Sequence, residues 1–322
     1  MKTDKLNPNV QKSKTSDFIS KINYGPSISL FKKTFIFDVC PLRKLIIAIF
    51  SMVIVPTLIF AFTPTQFLTG DVSMIYASGM GFVTWYYNFS LIFPIIIITS
   101  SAPLISEEIR SRTMLYLVSK PISRTRIVLT KFTALLLYGI IVSFSSLSII
   151  CIIAIIKYPF SDIPAYLGMN FLYSLVILFF FGGMSVGLSS IFKKPRSVSL
   201  IPVMLVIFSF LVLMSFRPLL IGGYGYGPNL YERYALYHYD IGYHFANVFM
   251  WISEVFVPQI WNYVGMLFAI FGIVIWEWTG ETYEIQITYY YHPIASLIYL
   301  IVIAGIILVA GIIFLNKRDI SG

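Results

Sequence analysis

Six stretches of this chain, each at least 18 residues long, carry no acidic or basic side chain. A helix of roughly 20 apolar residues crosses the hydrocarbon core of a bilayer. Hydrophobic residues make up 58% of the chain, above the share found in soluble domains. We therefore predict an all-α polytopic membrane protein with six transmembrane helices. The stretches are Leu45–Phe62, Phe82–Ile105, Phe132–Ile156, Tyr166–Phe192, Ser197–Phe216 and Pro293–Asn316.

The basic residues divide unevenly between the two sides of such a bundle. If the chain begins in the cytoplasm and the six runs cross in turn, 20 of the 23 Lys and Arg side chains lie inside. Cytoplasmic loops of membrane proteins carry an excess of Lys and Arg. We therefore expect a multi-pass protein of the plasma membrane with both termini in the cytoplasm. The net charge of +9 then reflects topology and contact with anionic lipid, with no nucleic acid partner.

A long segment, residues 222–292, separates the fifth and sixth runs and is expected on the outer side. It contains a seventh apolar run, Val255–Trp276, which Pro258 and Gly265 interrupt. A full crossing there would place acidic residues inside and the basic C-terminus outside, so we expect this run to enter the outer leaflet and return. A full crossing is the alternative. Thr282–Tyr291 alternates with a period of two, which predicts a short strand.

Two shorter features concern packing. Ser27–Cys40 combines apolar residues with Lys32 and Lys33, which predicts a basic amphipathic helix along the inner interface. In the fourth run, Gly183 and Gly187 form a G-x-x-x-G pair, and we favour packing within the chain over a dimer contact. The expected divisions are a cytoplasmic tail with an interfacial helix (1–44), a membrane domain (45–316) and a cytoplasmic C-terminus (317–322).

The only pattern typical of an enzyme is weak. Glu107, Glu108 and Arg112 spell the E-E-x-x-x-R of intramembrane proteases that resemble the prenyl-protein processing enzymes. That chemistry also needs histidines on neighbouring spans, and the three histidines of this chain are expected on the opposite side. The sequence contains no G-x-x-x-x-G-K-[ST], so it has no nucleotide-binding P-loop. We expect no enzyme activity in this chain.

His238, Asp240 and His244 are weak candidates for metal ligands. No fourth ligand accompanies them, so polar residues of a water-facing loop are the favoured interpretation. The six runs also have no Asp, Glu, Lys, Arg or His at their centres, which argues against a proton- or ion-coupled carrier.

The connector between the second and third runs, residues 106–131, holds two carboxylates and six cations. Ser106 is expected to cap a helix whose first turn contains the two carboxylates, and Pro121 is expected to end it. Ser123 is expected to cap the next helix, which Arg124, Arg126 and Lys131 anchor at the inner face. The pattern predicts a short amphipathic helix at the cytoplasmic surface, available to a soluble partner.

This connector resembles that of permease subunits of the ABC-2 class of ATP-binding-cassette transporters. The class has one or two acidic residues, a threonine, leucines, then a proline, a hydroxyl residue, an arginine and a lysine. Ser111 and Arg112 depart from the pattern, because a glycine is common before the threonine. The positions that match here are Glu107, Glu108, Thr113, Leu115, Leu117, Pro121, Ser123, Arg124 and Lys131.

The resemblance implies the permease subunit of a transporter, of the exporting kind. In that class the connector is a coupling helix that docks on a separate ATPase subunit, and two permeases, identical or different, assemble with two ATPases. ATP and magnesium bind the ATPase, so no cofactor is expected in this chain. A secondary carrier or channel, or a structural membrane protein, is the alternative. The coupling residues it implies are the nine above with Arg110 and Arg112.

Overall fold

The computed structural model describes residues 26–62, 81, 83–114, 122–157, 163–221, 230–256, 274–278, 283–287 and 290–318. Within these residues, six helices are long and apolar enough to cross a membrane. Each overlaps one of the six uncharged runs, so the predicted polytopic helical fold is confirmed. We number them spans one to six: Leu42–Ile59, Thr84–Arg110, Arg124–Ile156, Ile163–Ile191, Pro195–Arg217 and Pro293–Lys317.

Several spans change helix type along their length. Wider π-helical turns occupy Thr84–Ile92 in span two and Phe208–Val212 in span five, and turns of this kind are frequent at functional sites. A further π-helical segment is Thr34–Val39, and a 3-10 turn is Leu236–His238. The α-helices of the described residues are Pro26–Lys33, Leu42–Phe62, Phe93–Ser101, Pro103–Arg110, Arg124–Lys157, Ile163–Ile191, Pro195–Ile207, Leu213–Ile221, Leu230–Arg233, Ile241–Phe256 and Pro293–Lys317.

Spans two and four form the centre of the bundle. In the most apolar stretch of each of these two helices, 67% of the residues are buried, compared with at most 39% in the corresponding stretches of the other four spans. The two helices run in the same direction. Tyr166 donates to Thr84 Oγ1 at 2.8 Å near their beginnings, and the backbone N–H of Ser106 donates to Ser189 Oγ at 3.0 Å near their ends. We call the end with Ser106 the connector end.

Spans four and six are in backbone contact. A Cβ added at Gly187 would lie only 2.5 Å from the carbonyl oxygen of Ile307, and one added at Gly311 would overlap the backbone of Gly187. Gly183 faces Ala304 in the same contact. Because any larger side chain would push the helices apart, the G-x-x-x-G pair packs within the chain, as predicted.

The helix Ile241–Phe256 is enclosed by the spans, and we call it the enclosed helix. Eleven of its 16 residues are buried. The ring centroid of Phe249 lies 5.5 Å from that of Trp85 in span two, and Asn247 donates to Ser296 Oγ of span six at 2.9 Å. Part of the segment expected on the outer side therefore belongs to the core.

A β-hairpin precedes span six. Val274–Trp278 pairs antiparallel with Tyr283–Ile287, in a register that places Trp276 opposite Ile285. The strand predicted within Thr282–Tyr291 is thereby confirmed. Most of the predicted re-entrant run, Val255–Trp276, lies outside the described residues. Its last residues belong to the first strand, so no helix continues to Trp276.

The predicted amphipathic segment before span one is helical. Leu30, Thr34 and Val39 are buried, whereas the side chains of Lys32 and Lys33 are exposed. The helix packs against span three. This arrangement places its charged face away from the bundle, as expected for a basic amphipathic helix.

Candidate functional site

The first part of the connector is a continuation of span two. The helix Pro103–Arg110 follows directly on Phe93–Ser101, and Pro103 lies in its first turn, where a missing N–H costs little. Ser106 is an interior residue of this helix and donates to Ala102 O at 2.6 Å. The predicted capping by Ser106 is therefore wrong, because the span does not stop where its apolar run stops.

As a result, the two carboxylates lie in the last turns of a helix and not in its first turn. A negative charge at that end opposes the helix dipole, so each carboxylate requires a cation. Glu107 accepts from Arg110 at 2.5 Å, and the side chains of Arg110 and Glu107 are 61% and 42% exposed. Exposed pairs of this kind contribute little to stability.

Glu108 has a different environment. Its Oε2 lies 2.5 Å from Lys131 Nζ, and the exposed fractions of the two side chains are 15% and 0%. The same ammonium group donates to the carbonyl oxygen of Leu104. Lys131 belongs to span three, so this buried pair fastens the end of span two to the beginning of span three. The sequence predicted an anchoring role for Lys131 at the inner face but not its partners.

The helix ends at an exposed turn. Arg112 has a φ of 59°, in the left-handed region that a side chain with a Cβ rarely adopts. Ser111 and Thr113 bring their hydroxyl groups within 3.0 Å of each other, and Arg110 to Thr113 are all exposed. A glycine is common here in the class that the connector resembles, and the left-handed backbone gives a physical reason for it.

The middle of the connector, including Leu115, Leu117 and Pro121, lies outside the described residues. The prediction for Ser123 is confirmed. Its Oγ accepts from the backbone N–H of Arg126 at 3.3 Å, and the helix of span three begins at Arg124.

Arg124 joins span three to the end of span six. Its Nη1 donates to Leu315 O at 2.9 Å, to Asn316 O at 3.2 Å and to Arg318 O at 2.7 Å. These carbonyl groups end a helix, where a cation is favourable. Arg318 in turn donates to Ile191 O of span four at 3.3 Å. The connector end is therefore a set of linked helix ends.

Two residues of this end were not predicted. Ser189 Oγ accepts from the backbone N–H groups of Ile105 and Ser106 and donates to Ala102 O at 2.8 Å. Arg318 was predicted only as part of a basic terminus. The only sequence signal for Ser189 was its place in the run of small residues that includes Gly183 and Gly187, two residues after the second glycine.

At the opposite end of the bundle, both carboxylate oxygens of Asp240 accept hydrogen bonds from neighbouring side chains. Arg217 binds its carboxylate with two nitrogen atoms, one of them at 2.5 Å from Oδ1, and Tyr231 donates to Oδ2 at 2.9 Å. Asp240 also accepts from Tyr243 N at 3.1 Å and so caps the enclosed helix. Asp240 and Arg217 are 2% and 0% exposed, so the interpretation of Asp240 as a water-facing residue is wrong.

The two histidines do not join Asp240 in a metal site. His244 is buried and lies within 3.0 Å of Ser296 Oγ, whereas His238 contacts the hydroxyl group of Tyr291. Burial lowers the pKa of His244 to about 4, so its ring is neutral at pH 7. Within the described parts of the chain, no three metal-ligating side chains come together.

Comparison with known protein families agrees with this architecture. A family model described as "ABC-2 family transporter protein" matches residues 5–320, nearly the whole chain. No curated protein gives a significant match.

Proposed function

Because this chain belongs to the ABC-2 family of transporter proteins, we propose that it is the permease subunit of an exporter whose energy comes from ATP hydrolysis by a separate subunit. Family membership and six apolar helices make it a multi-pass membrane-transport component. The direction of transport, the ATPase partner and the plasma membrane as its location are the parts that we propose.

The observation that carries this proposal is the buried pair of Glu108 and Lys131. A connector transmits force only if its first residues, at the end of span two, cannot bend independently of the membrane helices. We call these residues the base of the connector. The pair, together with the bond from Lys131 to Leu104 O, ties the base to two spans at once. A displacement of the connector would therefore move spans two and three together.

The exposed turn supports the same proposal. Arg110, Ser111, Arg112 and Thr113 project from the end of span two, and their polar groups are available to a soluble subunit. Of the 17 Lys and Arg residues in the described part of the chain, 14 lie at the connector end, which favours the cytoplasm, where ATP is found. We propose that the ATPase binds ATP and magnesium there, and that a second permease, identical or different, completes the transporter.

Purification of the tagged chain from its native membrane tests the proposal. We expect a protein with a P-loop to copurify with it. The L115D/L117D variant would place charges on the predicted docking face, at a cost of several kcal/mol if they are buried unpaired. That cost exceeds typical coupling energies of about 1–3 kcal/mol, so the variant should lose the ATPase.

The control is K193D/K194D, which introduces two aspartates into the exposed loop between spans four and five at the same end of the bundle. This variant should retain the ATPase. Retention of the ATPase by L115D/L117D would place the docking surface elsewhere. Transport by the purified chain without any ATPase would favour a secondary carrier.

A further inference from the structure

Two buried asparagines lack hydrogen-bond partners at the centre of the bundle. Asn88, in the π-helical turn of span two, is 0% exposed, and among the described residues neither its amide nitrogen nor its amide oxygen has a partner. Asn170 in span four is equally buried. Its nitrogen donates to Tyr166 O at 2.9 Å, but its oxygen has no partner in the same part of the chain. Buried amides in this state are rare and call for an explanation.

The two asparagines occupy equivalent positions on neighbouring helices. The hydroxyl group of Tyr166 donates to Thr84 Oγ1 at 2.8 Å, which fixes the register of spans four and two. Asn88 and Asn170 each follow a member of this pair by four residues, about one helical turn. Because the two spans run in the same direction, both amides lie at the same depth.

Aromatic rings pack together where spans two and four meet the enclosed helix. The ring centroid of Tyr173 in span four lies 6.2 Å from that of Phe89 in span two and 5.0 Å from that of Phe249 in the enclosed helix. Trp85 lies 5.5 Å from Phe249. Neither Thr84–Ile92 nor the first half of span four contains an Asp, Glu, Lys, Arg or His residue. The enclosed helix contains two, of which His244 bonds to Ser296 of span six and Glu254 is exposed. A charged ligand would therefore find no counter-charge in this apolar surrounding.

From these observations we propose that Asn88 and Asn170 form a binding site for a neutral amphipathic molecule, with its hydrogen-bonding head at the two amides and its apolar body against the aromatic rings. This inference rests on the proposed function, since it names the substrate class of the transporter. The site is closed in the present conformation. A ligand enters when span two separates from span four, and its head then supplies the hydrogen bonds that Asn88 lacks.

Equilibrium binding to the full-length chain in lipid nanodiscs tests this site. The probe is tritiated oleamide, whose neutral amide both donates and accepts, with unlabelled oleamide, monoolein, oleate and octadecane as competitors. We expect saturable binding of oleamide. Monoolein should compete, whereas charged oleate and headless octadecane should compete at least tenfold more weakly.

The decisive variant is Asn88→Leu, which replaces the amide with an apolar group of the same branched shape. We expect its affinity for oleamide to fall at least tenfold, while its thermal midpoint stays the same or rises, because an unpaired buried amide has been removed. The control is Asn316→Leu. That amide bonds to Thr125 Oγ1 at the exposed connector end, and its loss should leave oleamide binding unchanged.

Equal oleamide binding by Asn88→Leu and the unchanged chain would overturn the proposal. So would a lower thermal midpoint for Asn88→Leu, which would show an amide that serves the fold. If neither oleamide nor monoolein binds saturably, water alone forms hydrogen bonds to the two amides, and the proposal is also overturned. Failure here is separable from failure of the proposed function. Copurification of the ATPase without oleamide binding rejects only the site, and oleamide binding without any ATPase rejects only the coupling.

Discussion

Glu108 at the end of span two and Lys131 in span three form an ion pair of 2.5 Å, in which the lysine side chain is fully buried. The pair brackets the connector, whose middle residues lie between these two positions in the chain. Its neighbour Glu107, by contrast, is paired at the surface with Arg110. The two adjacent carboxylates therefore differ in role, because Glu108 links two spans whereas Glu107 forms an ion pair at the surface.

We expect Glu108→Ala to destabilise the protein by about 3–5 kcal/mol, because Lys131 would remain as an unpaired buried charge. Glu107→Ala, the matched control, should have little effect on stability. The double variant E108L/K131M replaces the pair with apolar side chains and should recover most of the loss. Denaturant unfolding in detergent measures all three. If Glu108→Ala and Glu107→Ala unfold alike, the pair does not hold the two spans together.

Arg112 offers a test of the exposed turn. Its φ of 59° costs a residue with a Cβ about 1–2 kcal/mol, a cost that glycine avoids. We expect Arg112→Gly to raise the free energy of unfolding by up to about 1 kcal/mol, after the greater backbone entropy of glycine in the unfolded chain is subtracted. Arg110→Gly, a change within the helix, should lower it. A loss of stability in Arg112→Gly would show that the arginine side chain matters more than its backbone conformation.

Stability should depend on pH through His244. Burial lowers its pKa to about 4, below the value of 6.5 for an unfolded chain. Between these values the unfolded state binds more protons, so stability is complete above about pH 6.5 and decreases as the pH falls towards 4. At pH 5 the loss from this group is about 2 kcal/mol.

Thermal unfolding at pH 7 and pH 5 measures this difference, and His244→Asn should reduce it. His292→Asn is the control, because His292 is exposed and asparagine can also cap the helix of span six. An unchanged pH dependence in His244→Asn would assign the effect to other groups.

Topology can be tested by labelling single cysteines after replacement of Cys40 and Cys151. The six-span topology predicts 20 of the 23 basic residues on the cytoplasmic side, so Ser321→Cys should react with an impermeant maleimide only after cell lysis. Tyr234→Cys, an exposed position at the opposite end, should react in intact cells. Labelling of Ser321→Cys in intact cells would reverse the orientation or restore a seventh crossing.

The sequence predicted the features that depend on neighbours in the chain. Six apolar runs, the G-x-x-x-G contact, the strand before span six and the cap at Ser123 are all encoded locally. Ser106 was predicted to cap a new helix because the apolar run ends at Ile105. Local sequence signals do not show that the helix of span two continues through Pro103, a residue that fits the first turn of a helix. The partners of Glu108 and Asp240 come from other spans, and no spacing rule connects Asp240 with Arg217. The sequence did not predict the enclosed helix, because the burial of its polar residues His244 and Asn247 depends on hydrogen bonds to Ser296 of span six.

The contact between Gly187 and Gly311 has a consequence for movement. Helices whose backbones touch cannot slide or rotate past each other without a collision, so spans four and six behave as a single rigid body. Arg318, which donates to the last carbonyl group of span four, holds the same two helices at the connector end. Span two is attached to this body through hydrogen bonds and ring contacts, which can be exchanged one at a time. The hinge of the protein is therefore expected between span two and the four–six pair, and span two is the helix that carries the connector.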